Sequence, residues 1–346
     1  MLFADLAACS RFVAATSKRN EKVAAIADVL RKAAPDEVGP AVSFLIGDIP
    51  GGRIGVGWAT LSSSRVDPAT HPSLTVHDVA AALERLAGTS GPGSNSTRRS
   101  ILSDLLSRST ADEQRFLDGI VGGELRQGAL EGVAASAVAK AAGVTVDEVR
   151  RGAMMAGSLP DAATAALIGG APALAALTLR PGHPVQPMLA APATGVADAL
   201  AAGRPAAVEV KVDGARVQAH RVGDDVRLFT RNLNDVTSRL EGVQQLVRAL
   251  PGGDLVLDGE VLGITDEGVP RRFQDTMSDF GAEAPGRGAG LGAYFFDVLH
   301  VGGHAVVDEP LSVRRELLVA TVPEAARLPS IITADPDEAD QFLDHM

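Results

Sequence analysis

Lysine is scarce in this sequence: only five of its 32 basic residues are lysines, and a single one, Lys211, lies downstream of Lys140. Arginine keeps its proton at any physiological pH, so an isolated lysine is the one cation here able to lose its proton and attack an electrophile. Composition tempers that reading, because a chain rich in Ala, Gly, Val and Arg is short of lysine everywhere. The single cysteine, Cys9, excludes an intramolecular disulfide and a zinc site built from cysteines. No apolar run reaches the roughly 18 residues of a membrane span. The N-terminus carries Asp5 inside its apolar stretch and no basic residue before it, which argues against a secretory signal. The cytoplasm is the expected compartment.

What is present is a soluble, globular composition, with 46% apolar and 22% charged residues. A length of 346 residues suggests two domains. The net charge of −11 is unevenly spread: residues 1–175 carry 17 basic and 18 acidic groups, whereas residues 176–346 carry 15 and 25. The near-neutral first half is free to hold a basic face, since local arrangement decides whether phosphates are attracted.

Periodicity separates the halves. Val23, Ile26, Val29 and Leu30 form one stripe of a helix over 20–33, and 76–86 repeats the pattern. Further helices are expected over 96–106, 111–125 and 132–142, and Thr145 with Glu148 makes a capping box that opens another. These place an all-helical domain over 1–175. Three prolines within 178–190 mark an extended linker, taken as 176–190. Beyond it, over 191–346, the period becomes two, with strands expected at 208–213, 226–230, 255–263 and 293–300. The second half is α+β, built on antiparallel strands. The Gly-rich stretch 51–58 lacks a P-loop lysine and reads as a turn with a buried tryptophan.

In the strand over 208–213, alternation places Glu209, Lys211 and Asp213 on one face, opposite Val208, Val210 and Val212. Two acids and a lysine are costly to bury together, so this face is expected to line a cleft. Arg216 and Arg231 suit phosphate oxygens, and Asp258 and Glu260, sharing a strand face, suit Mg²⁺. Phe295 and Phe296 point to opposite faces, one to the core and one to a ligand.

The string LysValAspGlyAlaArg at 211–216 resembles the nucleotidyltransferase motif of ATP-dependent DNA ligases, RNA ligases and capping enzymes. ThrArgAsnLeuAsnAspValThr at 230–237, LeuAspGlyGluVal at 257–261, PhePheAspValLeu at 295–299 and ProLeuSerValArgArgGluLeuLeu at 310–318 resemble the ligase segments that follow it, in order. Upstream, GlyGlyGluLeuArgGlnGlyAla at 122–129 resembles a signature of the helical DNA-binding domain of these ligases, and HisProValGlnProMetLeuAla at 183–190 the lead into the adenylation domain. The similarity covers most of the chain and is nearest to ATP-dependent DNA ligases of the actinobacterial type.

That resemblance implies a helical DNA-binding domain followed by an adenylation domain. It implies adenylyl transfer from ATP with Mg²⁺: Lys211 attacks the α-phosphorus, AMP passes to the 5′-phosphate of nicked double-stranded DNA, and the 3′-hydroxyl displaces it. It further implies Glu209 near the adenine amino group, Arg216 and Arg231 on ribose and phosphate, Glu260 on ribose or metal, and Phe296 stacked on the base. Asp213 and Asp297 orient the site. Arg126 and Gly128 lie in the helical signature and are candidate DNA contacts, as are Arg98 and Arg99, with Arg108 and Arg115; the competing reading of each is a solvated helix surface. A monomer, associated with the nucleoid and serving repair, replication or recombination, is what the family implies.

The family continues with a glutamate-containing strand motif, a lysine-rich motif and an OB-fold domain, none of which occurs before Met346. A truncated adenylation domain is therefore expected, with little activity of its own, because the downstream lysines would help to deprotonate Lys211. Two alternatives stand beside the ligase reading: an RNA-modifying nucleotidyltransferase using GTP or ATP, and a nick-binding module without catalysis.

Overall fold

The computed structural model describes residues 1–346 apart from 51–53, 124, 126–129, 189 and 264–290, and apart from the side chains of Trp58 and Leu130. The first three residues of the expected turn over 51–58, the side chain of its tryptophan and the centre of the 122–129 signature thus lie outside the described residues; 54–57 form neither helix nor strand, and Trp58 opens a helix. The chain divides into two compact units, Met1–Thr178 and Leu179–Met346.

The first unit is helical, with α1 (Phe3–Ala15), α2 (Arg19–Leu30), α3 (Val38–Ile46), α4 (Trp58–Ser63), α5 (Val76–Ala87), α6 (Ser94–Arg108), α7 (Ala111–Gly122), α8 (Leu130–Ala142), α9 (Val146–Ala156) and α10 (Leu159–Ala175). Apolar residues three and four apart bury one stripe of each amphipathic helix, as Val79, Leu83 and Leu86 do on α5. Phe3 sits at the centre, edge-on to Phe44 at 5.5 Å and stacked with Phe116 at 5.3 Å. Capping boxes close three helix starts, Thr75 with Asp78, Thr110 with Glu113 and the expected Thr145 with Glu148. Each satisfies two backbone donors that a helix start otherwise leaves open.

The second unit carries a five-stranded sheet in the order β3-β2-β4-β5-β6 and a separate two-stranded sheet, β1-β7. All pairings are antiparallel. The strands are β1 (Ala206–Glu209), β2 (Ala215–Val222), β3 (Asp225–Thr230), β4 (Leu255–Gly263), β5 (Leu291–Val301), β6 (His304–Ala305) and β7 (Ser330–Thr333). Helices α11 (Val196–Ala199), α12 (Glu241–Ala249), α13 (Leu311–Thr321) and α14 (Pro336–Asp344) accompany them. Val243 and Val247 of α12 and Leu318 of α13 share one core with Val217 and Ala219 of β2, Leu257 and Val261 of β4 and Phe295 of β5. Buried Arg221 caps the C-terminal end of α12, donating to the carbonyls of Val247, Arg248 and Leu250 and, beyond them, to those of Pro251 and Gly253.

The expected strand over 208–213 is shorter than its alternation suggests. β1 ends at Glu209, and Lys211 and Asp213 lie on an irregular loop, with Val208, Val210 and Val212 all only partly buried. Val210 N–H reaches Pro329 O at 3.2 Å, and proline has no N–H to return, so the ladder with β7 stops after Glu209–Ser330.

The proline-rich 179–188 segment is strapped along β2, with a turn at its start where His183 N–H donates to Arg180 O at 3.1 Å and Gly182 has a φ of 88°. Leu179 and Val185 are buried. Gln218 reads Val185 twice, accepting its N–H at 2.9 Å and donating to its carbonyl at 3.2 Å. Gly182 N–H donates to His220 Nδ1 at 3.0 Å, which leaves Nε2 to donate to Gln218 Oε1 at 2.8 Å. Burial, with His183 and His300 nearby, pushes the His220 pKa down to about 3.

The unfolded chain therefore binds a proton at His220 near pH 6.5 that the folded chain refuses until about pH 3. Unfolding free energy should fall as pH drops from about 6.5 towards 3, and His220→Gln, which still accepts from Gly182 but does not titrate, should flatten that decline. Urea unfolding at pH 7.5, 6 and 4.5 measures both slopes.

Candidate active site

β5 departs from strict alternation at the point where it builds the site. Phe295 and Val298 both lie in the core, three residues apart, whereas Phe296 and Asp297 between them are partly exposed. The pairing with β4 shifts at this point, Gly259 lying opposite Phe295 and Asp258 opposite Asp297. Phe296 is the extra residue of a β-bulge, which turns two consecutive side chains to the same face. A side chain at Gly259 would meet the Phe295 ring at 2.7 Å, so the core seats Phe295 only because position 259 has none.

On the far side of Phe296 is a cleft lined by Glu209, Arg315, Arg327, Pro329 and Ser330. The carboxylates of Glu209, in the cleft wall, and of Asp258 and Asp297, on the paired strands β4 and β5, are each matched by a guanidinium group. Arg216 grips Asp258 with Nε at 3.1 Å and Nη2 at 2.6 Å. Arg314 grips Asp297 at 2.9 and 3.0 Å, and Arg315 donates to Glu209 Oε1 at 2.7 Å and to Ser330 Oγ at 2.6 Å. Burial pushes the carboxyls of Asp258 and Glu209 upward, and the paired arginine opposes the rise in each. Fork-on-carboxylate pairs suit such places because guanidinium stays charged and supplies two parallel donors.

These pairs bear on two expectations. Asp258 does not suit Mg²⁺, because Arg216 occupies both its oxygens and the residue is 6% exposed. Arg216 uses three of its five N–H donors within the protein, the third reaching Met188 O at 3.3 Å, and its guanidinium lies over the Phe296 ring at 5.5 Å. It braces the ring and the strap in this arrangement.

Lys211 is exposed two residues after Glu209 of the cleft wall, its side chain 82% accessible. Its loop is pinned at both ends, by Val210 N–H on Pro329 O and by Gly214 N–H on Glu260 Oε1 at 3.1 Å. A methyl group at Gly214 would overlap the carbonyl oxygen of Val261 and come within 2.5 Å of Leu262 Cδ2, so the loop packs on β4 only with glycine there. Lys211 Nζ is hydrogen-bonded to Asp213, which raises its pKa above the usual lysine value, with Glu260 adding in the same direction. Burial raises the Glu260 carboxyl, and the Gly214 N–H opposes it. Among the described residues no cluster of three His, Cys, Asp or Glu side chains gathers as metal ligands. Glu260, half-buried with one oxygen on the Gly214 N–H, is the carboxylate among the described residues whose chemistry fits one protein ligand of a Mg²⁺.

Arg231 is exposed on the turn after β3, where Leu233 N–H donates to Thr230 O at 2.8 Å and Leu233 takes a left-handed φ of 61°. A branched residue there costs about 1 kcal/mol or more, and strain of this kind gathers at functional turns. In the first unit Arg98 is partly buried, donating to Thr89 O and Ser94 Oγ, with its guanidinium against Gly55. It serves the loop before α6, whereas its neighbour Arg99 is exposed. Arg108 pairs with Asp78 and Asp104, and Arg115 with Asp112. Arg126 and Gly128 lie outside the described residues. Sequence reasoning singled out neither Arg314 nor Arg315, although both stand in the 310–318 segment; adjacent arginines beside a buried acid were the available signal.

Comparison with known proteins agrees with this layout. The family model "ATP dependent DNA ligase domain" matches residues 187–346 and "DNA ligase N terminus" matches 60–139. A "Probable DNA ligase" of Anaeromyxobacter dehalogenans (strain 2CP-C) is 49% identical over 99% of this chain, and one of Saccharopolyspora erythraea is 47% identical over 99%. The chain spans 69% and 67% of the lengths of those two relatives. A solved structure named Pmar-Lig_PreS3 shares the fold at TM-score 0.50 and 15% identity, over 97% of this chain and 69% of that one.

Asp213→Asn removes the anion bonded to Lys211 and should bring the lysine pKa down, so that more amine is neutral at pH 9. Acylation of each lysine by a soluble ester, mapped by mass spectrometry, should rise severalfold at Lys211 and stay level at Lys18, Lys22, Lys32 and Lys140. Gly214→Ala should detach the loop from Glu260 and weaken ATP binding by at least about tenfold, read by equilibrium dialysis.

Proposed function

The chain belongs to the ATP-dependent DNA ligase family, and on that premise we propose that its second unit holds ATP in the Phe296 cleft and transfers AMP to Lys211. The observation that carries this reading is the doubly pinned loop. It holds the backbone that carries one amine beside Glu209 and Pro329 of a cleft wall that includes an aromatic ring, and the arginines gripping the neighbouring acids are too basic to act as nucleophiles.

Each residue then has a stated part. The adenine ring lies against Phe296, which Arg216 braces from its own position, and the exocyclic amino group donates to Glu209. Neutral Nζ of Lys211 forms a bond to the α-phosphorus as the bond to pyrophosphate breaks, and the nitrogen gives up its proton. Arg231 meets phosphate or ribose. Glu260 is the protein ligand for Mg²⁺, which when bound supplies positive charge beside the amine. AMP then passes from Lys211 to the 5′-phosphate of a nick, and the 3′-hydroxyl bonds to that phosphorus as the bond to AMP breaks, releasing AMP; the chain acts as a monomer, with Arg99, Arg126 and Gly128 of the helical unit contacting duplex backbone. Phosphate contacts of that kind weaken steeply with salt.

The same geometry limits the 346-residue chain on its own. The groups that act on Lys211 among the described residues, Asp213 and Glu260, are anionic and keep it protonated. An amine of pKa above about 10 is neutral in less than roughly one molecule in a thousand at pH 7. With α-labelled ATP and Mg²⁺, this polypeptide should label slowly at pH 7, faster by about tenfold per pH unit towards pH 9, and not at all as Lys211→Ala. Labelling that is strong at pH 7 and indifferent to pH would overturn the protonation argument; label on any other residue would overturn the choice of nucleophile.

A further inference from the structure

Glu209 stands out because its partner explains only half of it. Oε1 takes Arg315 Nη1 at 2.7 Å, and the carboxylate faces the cleft beside Phe296, two-thirds shielded from water. Arg315, itself 18% exposed, is held in turn by Ser330 Oγ, so the pair crosses from α13 to the β1-β7 sheet. The charged groups facing Glu209 are Arg315 from α13, Asp297 from β5, and Glu324 and Arg327 from the turn before β7. Burial and Asp297 favour the protonated carboxyl; Arg315 favours the carboxylate. Which form is present decides what the cleft edge can bind, because a carboxylate only accepts hydrogen bonds whereas a carboxylic acid also donates.

We propose that Arg315 is the positioning residue that sets base preference: by holding Glu209 as an oriented anion, it makes the cleft select a purine with an exocyclic amino group over one with a carbonyl there. The inference rests on the reading that the nucleotide base lies on Phe296. An amino group donates to Oε2 of Glu209, which accepts no hydrogen bond from the described residues, whereas a carbonyl meets it lone pair to lone pair. Without Arg315 the burial and Asp297 that push this carboxyl upward go unopposed, and a protonated carboxyl donates to a carbonyl as readily as it accepts from an amine. Arg315 need not touch the nucleotide to do this.

ATP and inosine triphosphate differ at that one edge of the ring and form the test pair. Equilibrium dialysis of the 346-residue chain with each labelled nucleotide, in EDTA so that no transfer proceeds, gives the affinity ratio. The wild type should favour ATP by about tenfold or more, with a ratio flat from pH 8.5 to 6. Arg315→Gln should bring the ratio to within about threefold, with the remaining preference shrinking as pH falls. Arg315→Lys, which keeps the charge, should retain most of the ratio, and Glu209→Gln should lose it. A wild-type ratio that itself falls between pH 8.5 and 6 overturns the proposal, and this measurement needs no variant to fold. Loss of the ratio in Glu209→Gln but not in folded Arg315→Gln overturns it as well, while leaving the cleft reading intact. Equal binding of both nucleotides by wild type and Glu209→Gln alike overturns both.

Discussion

The second unit depends on one constraint: an acid placed where water is scarce must have a cation beside it or give up its charge. Taking a carboxylate out of water costs several kcal/mol, and only a close, well-aligned partner offsets that. Here the partners of Asp258, Asp297 and Glu209 are arginines 216, 314 and 315, contributed by β2 and by two consecutive positions of α13. The pairs do structural service too, because each joins elements distant in the chain. Asp258–Arg216 ties β4 to β2, Asp297–Arg314 ties β5 to α13, and Glu209–Arg315 ties α13 to the second, smaller sheet.

That arrangement separates two jobs that a cation can do. Guanidinium groups neutralise and brace, and they cannot be persuaded to lose a proton. The lone lysine stands in solvent, on a loop whose freedom has been removed at Val210 and Gly214. Rigidity of the loop stands in for burial of the side chain. A buried lysine would shed its proton more readily but would be hard for a triphosphate to reach; this one is reachable and needs its proton drawn off by positive charge brought close to it.

Much of this was readable beforehand, for specific reasons. Helices α2 and α5 announce themselves by apolar spacing and α9 by its capping box, β4 by an apolar run interrupted only at Asp258, Gly259 and Glu260, and Phe295 against Phe296 by alternation. Other features were hidden because they are made by distant residues. The end of β1 at Glu209 is imposed by Pro329, 120 positions later, so local alternation overran it. The 179–188 strap looked like a linker because its attachments, Gln218 and His220, are polar residues on β2 whose inward aim no periodicity reveals. The charge of Arg98 allows a phosphate contact or a solvated helix surface, and neither anticipates the contacts with Thr89, Ser94 and Gly55 that half-bury it. The arginines of α13 carried the clearest missed signal, since each meets an acid that the same sequence had already marked.

The bulge at Phe296 has a consequence for what kinds of change the strand can absorb. Alternation is a matter of parity, and Phe296 is the supernumerary residue that lets Phe295 and Val298, three positions apart, both face the core. A second register shift, between the partners Val256 and Leu257, makes Leu299 another extra residue and restores the parity for the end of β5. Exchanging one side chain for another at 296 or 297 alters a contact and leaves the count intact. Removing one residue there would return the strand to strict alternation, with Phe295 and Val298 still inward and a single side chain outward between them. The core of this strand tolerates that loss; the outward pair of Phe296 and Asp297 does not.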